Sequence, residues 1–171
     1  DGIWLLPGSK DHVFDFTEIK NAIIGIQVDT LASLAKPTLT ISNSKIQNMT
    51  AAGIYAQGST IEGYNNLISN CGQFALALTL GGSYEFYHCT FANYWGFSTR
   101  TTPSIILNNY YIDIYNSIQE RQLNKATFGN CIIYGNKESE IYLDDIGTTT
   151  NFNYLFDHCL IKVDSDFSTS D

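Results

Sequence analysis

Apolar and polar residues alternate along this chain in short runs, and one word keeps returning: apolar, any, apolar, any, Asn or His, two more, apolar. Its clearest copy is Leu39, Ile41, Asn43, Ile46, followed by Ile61, Gly63, Asn65, Ile68 and by Tyr84, Phe86, His88, Phe91. Further copies are Ile105, Leu107, Asn109, Ile112, then Ala126, Phe128, Asn130, Ile133, and finally Tyr154, Phe156, His158, Ile161. A degenerate first copy has Phe14, Phe16 and Ile19. The anchors from Asn43 to His158 stand 22, 23, 21, 21 and 28 residues apart. Alternation with period two predicts strands, and a fixed phase near 22 residues predicts repeated coils.

Two further columns share the phase. Asn21, Asn48, Asn70 and Asn93 follow the closing apolar position, and a third segment follows them, seen in Gly25 to Val28, Gly53 to Ala56, Ala75 to Leu78 and Ile141 to Leu143. Three short strands per coil, with Asn at matched positions, predict an all-β right-handed parallel β-helix of about seven coils. One coil cannot bury its inward residues alone, but stacked coils share a core. Asn at equivalent bends can then hydrogen-bond the Asn above and below. On this reading Asn43, Asn65, Asn109 and Asn130 are inward or at bends, and Asn65→Ala costs ~1–3 kcal/mol. Leucine-rich repeats share the period, but there Asn follows a Leu-dominated pattern at a different spacing. A sandwich of short strands gives no reason for phased polar columns. Residues 1–171 form one domain on this reading. Gly2 to Leu5 matches the third segment and the polar C-terminal stretch offers no closing cap, so the chain is expected to be part of a larger polypeptide.

Composition narrows the function. Hydrophobic residues make up 44% and charged residues 15%, which suits a folded core. A net charge of −8 argues against nucleic acid, whose phosphates require clustered Lys and Arg. No apolar run approaches the ~20 residues of a membrane span. Cys71, Cys89, Cys131 and Cys159 form no CxxC pair and match no zinc spacing, so they are read as buried thiols. Neither a metal nor a cofactor is expected.

The stretches Gly2-Ile-Trp, Glu18-Ile-Lys-Asn-Ala, Gly81-Gly-Ser-Tyr, His88-Cys-Thr-Phe, Asn130-Cys-Ile-Ile-Tyr-Gly and His158-Cys-Leu-Ile resemble the right-handed β-helix repeat proteins of Bacteroidota, relatives of the pectate-lyase-like fold. The resemblance covers about residues 2 to 163. It implies an exported protein at the cell surface, often an outer-membrane lipoprotein, and it leaves activity open.

In the third segment Ile26 and Val28 face inward, so Trp4, Gln27, Tyr55 and Tyr142 belong to one outer face. Aromatic side chains on such a face suit the apolar faces of sugar rings. Loops at 29–37, 94–103, 115–124 and 144–151 are expected to gather as a rim that offers Trp95, Arg100, Arg121, Asp144 and Asp145. Sugars are expected beneath the 95–103 loop. Glu62 with Tyr64, and one coil later Glu85 with Tyr87, mark a second outer face. Asn48-Met49-Thr50 matches a glycosylation acceptor, but Asn48 is expected to lie inward. The Asn-x-Asp, His-Gly and Arg-x-Lys sets of polygalacturonase-like sites are absent. The expected function is a non-catalytic surface module that holds a glycan or a neighbouring envelope protein through Trp4, Gln27, Tyr55, Tyr142, Trp95, Arg100 and Asp144. The alternative is a polysaccharide lyase or glycosidase with a site the sequence does not disclose.

Overall fold

In the computed structural model, which describes residues 2–29, 36–147 and 151–165, the alternating segments close into a parallel β-helix of three six-stranded sheets. Sheet A contains Ile3–Leu5, Ile24–Val28, Ala52–Gln57, Phe74–Thr79, Ile105–Asn108 and Ile141–Asp144. Sheet B contains His12–Asp15, Leu39–Ser42, Thr60–Tyr64, Gly82–Tyr87, Leu123–Gly129 and Leu155–Asp157. Sheet C contains Glu18–Lys20, Lys45–Met49, Leu67–Cys71, Thr90–Asn93, Ile132–Gly135 and Leu160–Ile161. The chain visits A, B and C in turn, so there are six coils where the repeated word counts about seven.

The surplus copy has a definite origin. Ile105 and Leu107 carry the word but lie in sheet A, whereas every other copy lies in sheet B. His88 and Asn130, 42 residues apart, are neighbouring anchors. The coil between them is lengthened by a loop at 94–104 and by a two-stranded antiparallel hairpin, Tyr110–Ile112 with Ile118–Glu120. Asn109 therefore belongs to no anchor column. It is buried after a sheet A strand, where its amide donates to Asp145 Oδ1 (2.7 Å) and its carbonyl accepts from Ile146 N (3.1 Å).

Each bend from sheet B to sheet C is made by one residue in the left-handed region: Phe16, Asn43, Asn65, His88, Asn130 and His158, all with φ between 49° and 56°. Asn tolerates this conformation better than most side chains because its short amide bonds locally. The bend turns the anchor side chain outward, not inward. Asn65 Nδ2 donates to Asn43 Oδ1 (2.9 Å), and Asn43 Nδ2 donates to Asp15 Oδ1 (2.8 Å), in an exposed ladder. Backbone pairing continues through the bend, with Asn43 N to Tyr64 O, Asn65 N to Tyr87 O and Asn130 N to Asp157 O. His88 and His158 are likewise on the outside. Asn21, Asn48 and Asn70 make a second left-handed bend, before sheet A, so Asn48 is half-buried at a corner and its neighbour Met49 is the one facing inward.

The buried ladder lies one residue beyond the anchors, in Thr17, Ser44, Asn66, Cys89, Cys131 and Cys159. Ser44 Oγ accepts from Thr17 N (2.9 Å), and Asn66 Oδ1 accepts from Ser44 N (3.0 Å) while its amide donates to Ile41 O (2.8 Å). The next positions use sulfur for the same task. The Cys131 thiol meets Gly129 O at 3.3 Å, and Cys159 Sγ meets Phe128 O at 3.2 Å. All four cysteines are free thiols, three of them buried. Burial pushes the Cys71 thiol, elsewhere in the core, up to about 12.

Apolar stacks fill the centre. Phe86, Phe128 and Phe156 lie in register down sheet B, with ring centroids 5.5 and 5.0 Å apart, and Phe91 meets the first two edge-on. Gly63 precedes them in the same column because a Cβ there would come within 2.3 Å of the Phe86 ring. Ile19, Ile46, Ile68, Phe91, Ile133 and Ile161 do the same for sheet C.

Candidate functional site

Parallel pairing without a slip puts one outward residue from each strand of sheet A into a single row: Trp4, Gln27, Tyr55, Ala77, Ile106, Tyr142. At about 4.8 Å per strand the row is ~24 Å long. Four sequence-derived site residues therefore share one face, with Trp4 and Tyr142 at its ends and both more than half exposed. Between them Tyr55 is half-buried, and Ala77 and Ile106 leave the middle low.

The first-coil end is the most elaborated. Asp29, just past a sheet A strand, accepts from the Trp4 indole Nε1 (2.5 Å) and from Gln27 Nε2 (2.9 Å) on the same oxygen, Oδ2. One carboxylate thus fixes both the plane of the exposed indole and the direction of the amide. Gly2, Ile3, Trp4, Ile23, Ile24 and Gln27 line a depression of about 420 Å³ there. Further along, Gln57 donates to Tyr55 Oη (2.8 Å), and Asp144 accepts from Tyr110 Oη (3.2 Å) at the rim beside Tyr142. The adjacent Asp144 carboxylate raises the Tyr110 phenol above its ordinary value.

The loop at 94–104 does not roof this row. It leaves sheet C and folds back along the corner before sheet A, so that Trp95 and Phe97 face Asn21, Ala22, Ile23, Asn48 and Thr50 across a separate cleft of about 500 Å³. Ile23 lines both depressions. Trp95 is nearly buried and Phe97 is 84% exposed. Arg100 stands inside the protein, not on a rim. Its guanidinium pairs with Glu140 (2.6 and 2.9 Å), and both side chains are 0% exposed. Arg100 also donates to Asn93 O, Thr102 O and Asn136 Oδ1, and Glu140 also accepts from Ser104 Oγ and Lys137 N. Every contact of this cluster holds the loop to the coils, so Arg100 has nothing left to offer a ligand. Nor do the insertions share a corner: the hairpin and the segments around 29 and 145 follow sheet A, whereas the 94–104 loop precedes it. Residues 30–35 and 148–150 lie outside the described residues.

A family model described as "Right handed beta helix region" matches residues 24–167. The chain belongs to the right-handed β-helix family. No curated protein and no solved structure matches it. Among the described residues of this β-helix no helix is long and apolar enough to cross a membrane, and no group of three His, Cys, Asp or Glu side chains is placed to hold a metal ion.

The second outer face of the β-helix carries its carboxylates in register. Glu62 pairs with Glu85, and Tyr64 with Tyr87, whose rings stack 5.9 Å apart at 12°. Lys125, on the next strand, meets Glu85 at 2.7 Å and supplies the cation that two stacked carboxylates attract. Burial, then the Glu62 and Glu85 carboxylates, hold the Tyr64 phenol above its ordinary value, so it stays a hydrogen-bond donor at neutral pH. The feature that sequence reasoning missed is the hairpin, where Ile114 and Tyr115 are 91% and 82% exposed at the tip. Its signal was legible: Tyr110 and Ile112 alternate up to Asp113, and Asn116 supplies a left-handed turn residue.

Proposed function

We propose that this β-helix is a non-catalytic module that holds an extended, uncharged glycan along the outer face of sheet A, in an exported protein at the cell surface. The observation that carries the reading is the pre-set end of the row, where Asp29 holds an exposed indole and an amide side by side. A flat aromatic surface next to fixed polar groups is what a sugar ring needs, since its apolar face stacks while its hydroxyls bond. Two features favour binding over turnover. Glu62 and Glu85 lie on a different face, with Glu85 held by Lys125, and Asp144 is engaged by Tyr110. The net charge of −8 disfavours an anionic polysaccharide.

Titration with neutral oligosaccharides checks this. Binding is expected near a dissociation constant on the order of 0.1–1 mM, almost independent of salt, because stacking involves no ion pairs. Trp4→Ala and Tyr142→Ala should each weaken it about tenfold, or ~1.4 kcal/mol. Tyr55→Ala should weaken it without shifting the melting temperature, since an outward side chain leaves no core cavity. Release of shortened or unsaturated products, lost on mutating Glu62, Glu85 or Asp144, would replace the reading with an enzyme. Protease added to intact cells should reach the module. A second reading, contact with another protein, is favoured by the exposed hairpin.

A further inference from the structure

The hairpin is an unusual thing for a β-helix to expose. Two strands alone are marginal in water and need packing to be stable. Here only the base is tied down, by Asn108 Nδ2 to Tyr110 O (2.9 Å), Arg121 N to Asn109 O (2.8 Å) and the Tyr110–Asp144 bond. Beyond the base, Ile112 and Ile118 face each other across the strands, and both are more than half exposed. The tip is nevertheless well ordered. Asn116 N bonds Asp113 O (3.0 Å), Asp113 N bonds Ser117 O (2.9 Å), and the Asp113 carboxylate accepts from Tyr115 N, Ser117 N and Gln119 Nε2, each at 2.9 Å. That carboxylate is used up in holding the turn, so what the tip presents outward is Ile114 and Tyr115, pre-set and uncharged.

The same molecule carries a matching recess. The corner cleft between Phe97 and Ile23 is lined by no charged residue and has a volume of about 500 Å³, inside the ~300–1,000 Å³ range of pockets that enclose organic groups. Its walls are aromatic and aliphatic, and its polar atoms belong to Asn21, Asn48 and Thr50, which can meet a tyrosine hydroxyl. Hairpin and cleft flank sheet A on opposite corners, so a copy cannot fill its own cleft. Charge then selects the occupant. Two copies at −8 each repel over most of their surface, and the tip and the cleft are patches where they can touch without burying a charge.

We infer that the hairpin tip of one copy, Ile114 with Tyr115, seats in the Trp95–Phe97 cleft of a second copy. Knob and recess are different surfaces, so the contact is heterologous and repeats head to tail into a ring or a filament. It is also weak. A buried Tyr contributes roughly 150–250 Å², and two side chains fall well short of the ~1,200 Å² of a stable interface. The inference does not rest on glycan binding, and Trp4→Ala should leave it unchanged.

Sedimentation of the whole chain over a range of concentrations tests it. The average mass should rise with concentration, with a dissociation constant on the order of 0.1–1 mM, and should rise further when salt screens the mutual repulsion. The double variant Ile114→Ser, Tyr115→Ser and the single variant Phe97→Ser change exposed side chains only, so both should fold, and each alone should stay monomeric. Mixed in equal amounts they should recover association and stop at a dimer, because one supplies the recess and the other the hairpin. A wild-type chain that remains monomeric throughout, or association that salt abolishes, overturns the inference. So does a mixture that fails to associate, which would assign the contact to hairpin against hairpin.

Discussion

The coil from Asn43 to Asn65 and the coil from His88 to Asn130 have the same three strands and the same bends, but the second is nearly twice as long. In the short coil each residue is supported by its equivalents above and below. In the long coil two excursions leave the stack and lose that support, and each is held by a device of its own. The loop at 94–104 is pinned by the buried Arg100–Glu140 pair, and the hairpin tip by the exposed Asp113 carboxylate. Regular coils therefore depend on stacking, whereas the excursions depend on one charge each, and the two charges differ in how much the fold relies on them.

Breaking the buried pair should have the largest effect. Glu140→Ala leaves the Arg100 guanidinium in the core without its counter-ion and should cost about 3–5 kcal/mol. Urea unfolding reads the loss, and tryptophan emission should shift red as Trp95 detaches from its corner. Replacing both partners, Arg100→Met with Glu140→Leu, should recover part of the loss because no lone charge is left behind. If Glu140→Ala unfolds at the wild-type midpoint, the loop is held by apolar packing alone.

The short coil offers a sharper comparison, since two adjacent asparagines serve ladders on opposite sides of one bend. Asn66 is buried and bonds Ser44 N and Ile41 O, so Asn66→Ala strands two buried backbone groups and should cost ~1–3 kcal/mol. Asn65 is exposed, and its loss forfeits one ladder bond and some tolerance of the left-handed bend, about 1 kcal/mol. Equal denaturation midpoints for the two variants would mean that the inner ladder contributes no more than the outer.

That reversal also shows what was legible in the sequence. Strand phase was readable because stacking forces equivalent residues into one period, and so was the outward row from Trp4 to Tyr142. The direction of the anchors was not, because a single left-handed residue turns its own side chain out and its successor in, and the letters N and H look alike in both settings. The coil count failed because Ile105, Leu107 and Asn109 reproduce the word halfway round a 42-residue coil. The Arg100–Glu140 pair, 40 residues apart, carries no periodic signal, so Arg100 looked like a rim residue.

The smallest effect concerns the exposed charge. Bonds from Ser117 N, Gln119 and Tyr115 N hold the Asp113 carboxyl below its ordinary 3.8. A carboxyl with a lower value in the folded chain stabilises that fold above its unfolded value, and the contribution disappears as pH falls through the folded one. Above pH 3.8 the tip should therefore be fully ordered, and below it Tyr115 and Ser117 should lose their acceptor. Asp113 is fully exposed and screened by solvent, so the change belongs to the tip and should barely move global stability. Amide exchange followed by NMR separates the two. Ser117 should exchange faster on acidification, whereas Ile41 and Phe86 in the stacked coils keep their protection. Asp113→Ala should mimic acid at neutral pH. Unchanged Ser117 protection in that variant would mean that the backbone turn alone presents Ile114 and Tyr115, and that the carboxylate is incidental to the excursion it sits on.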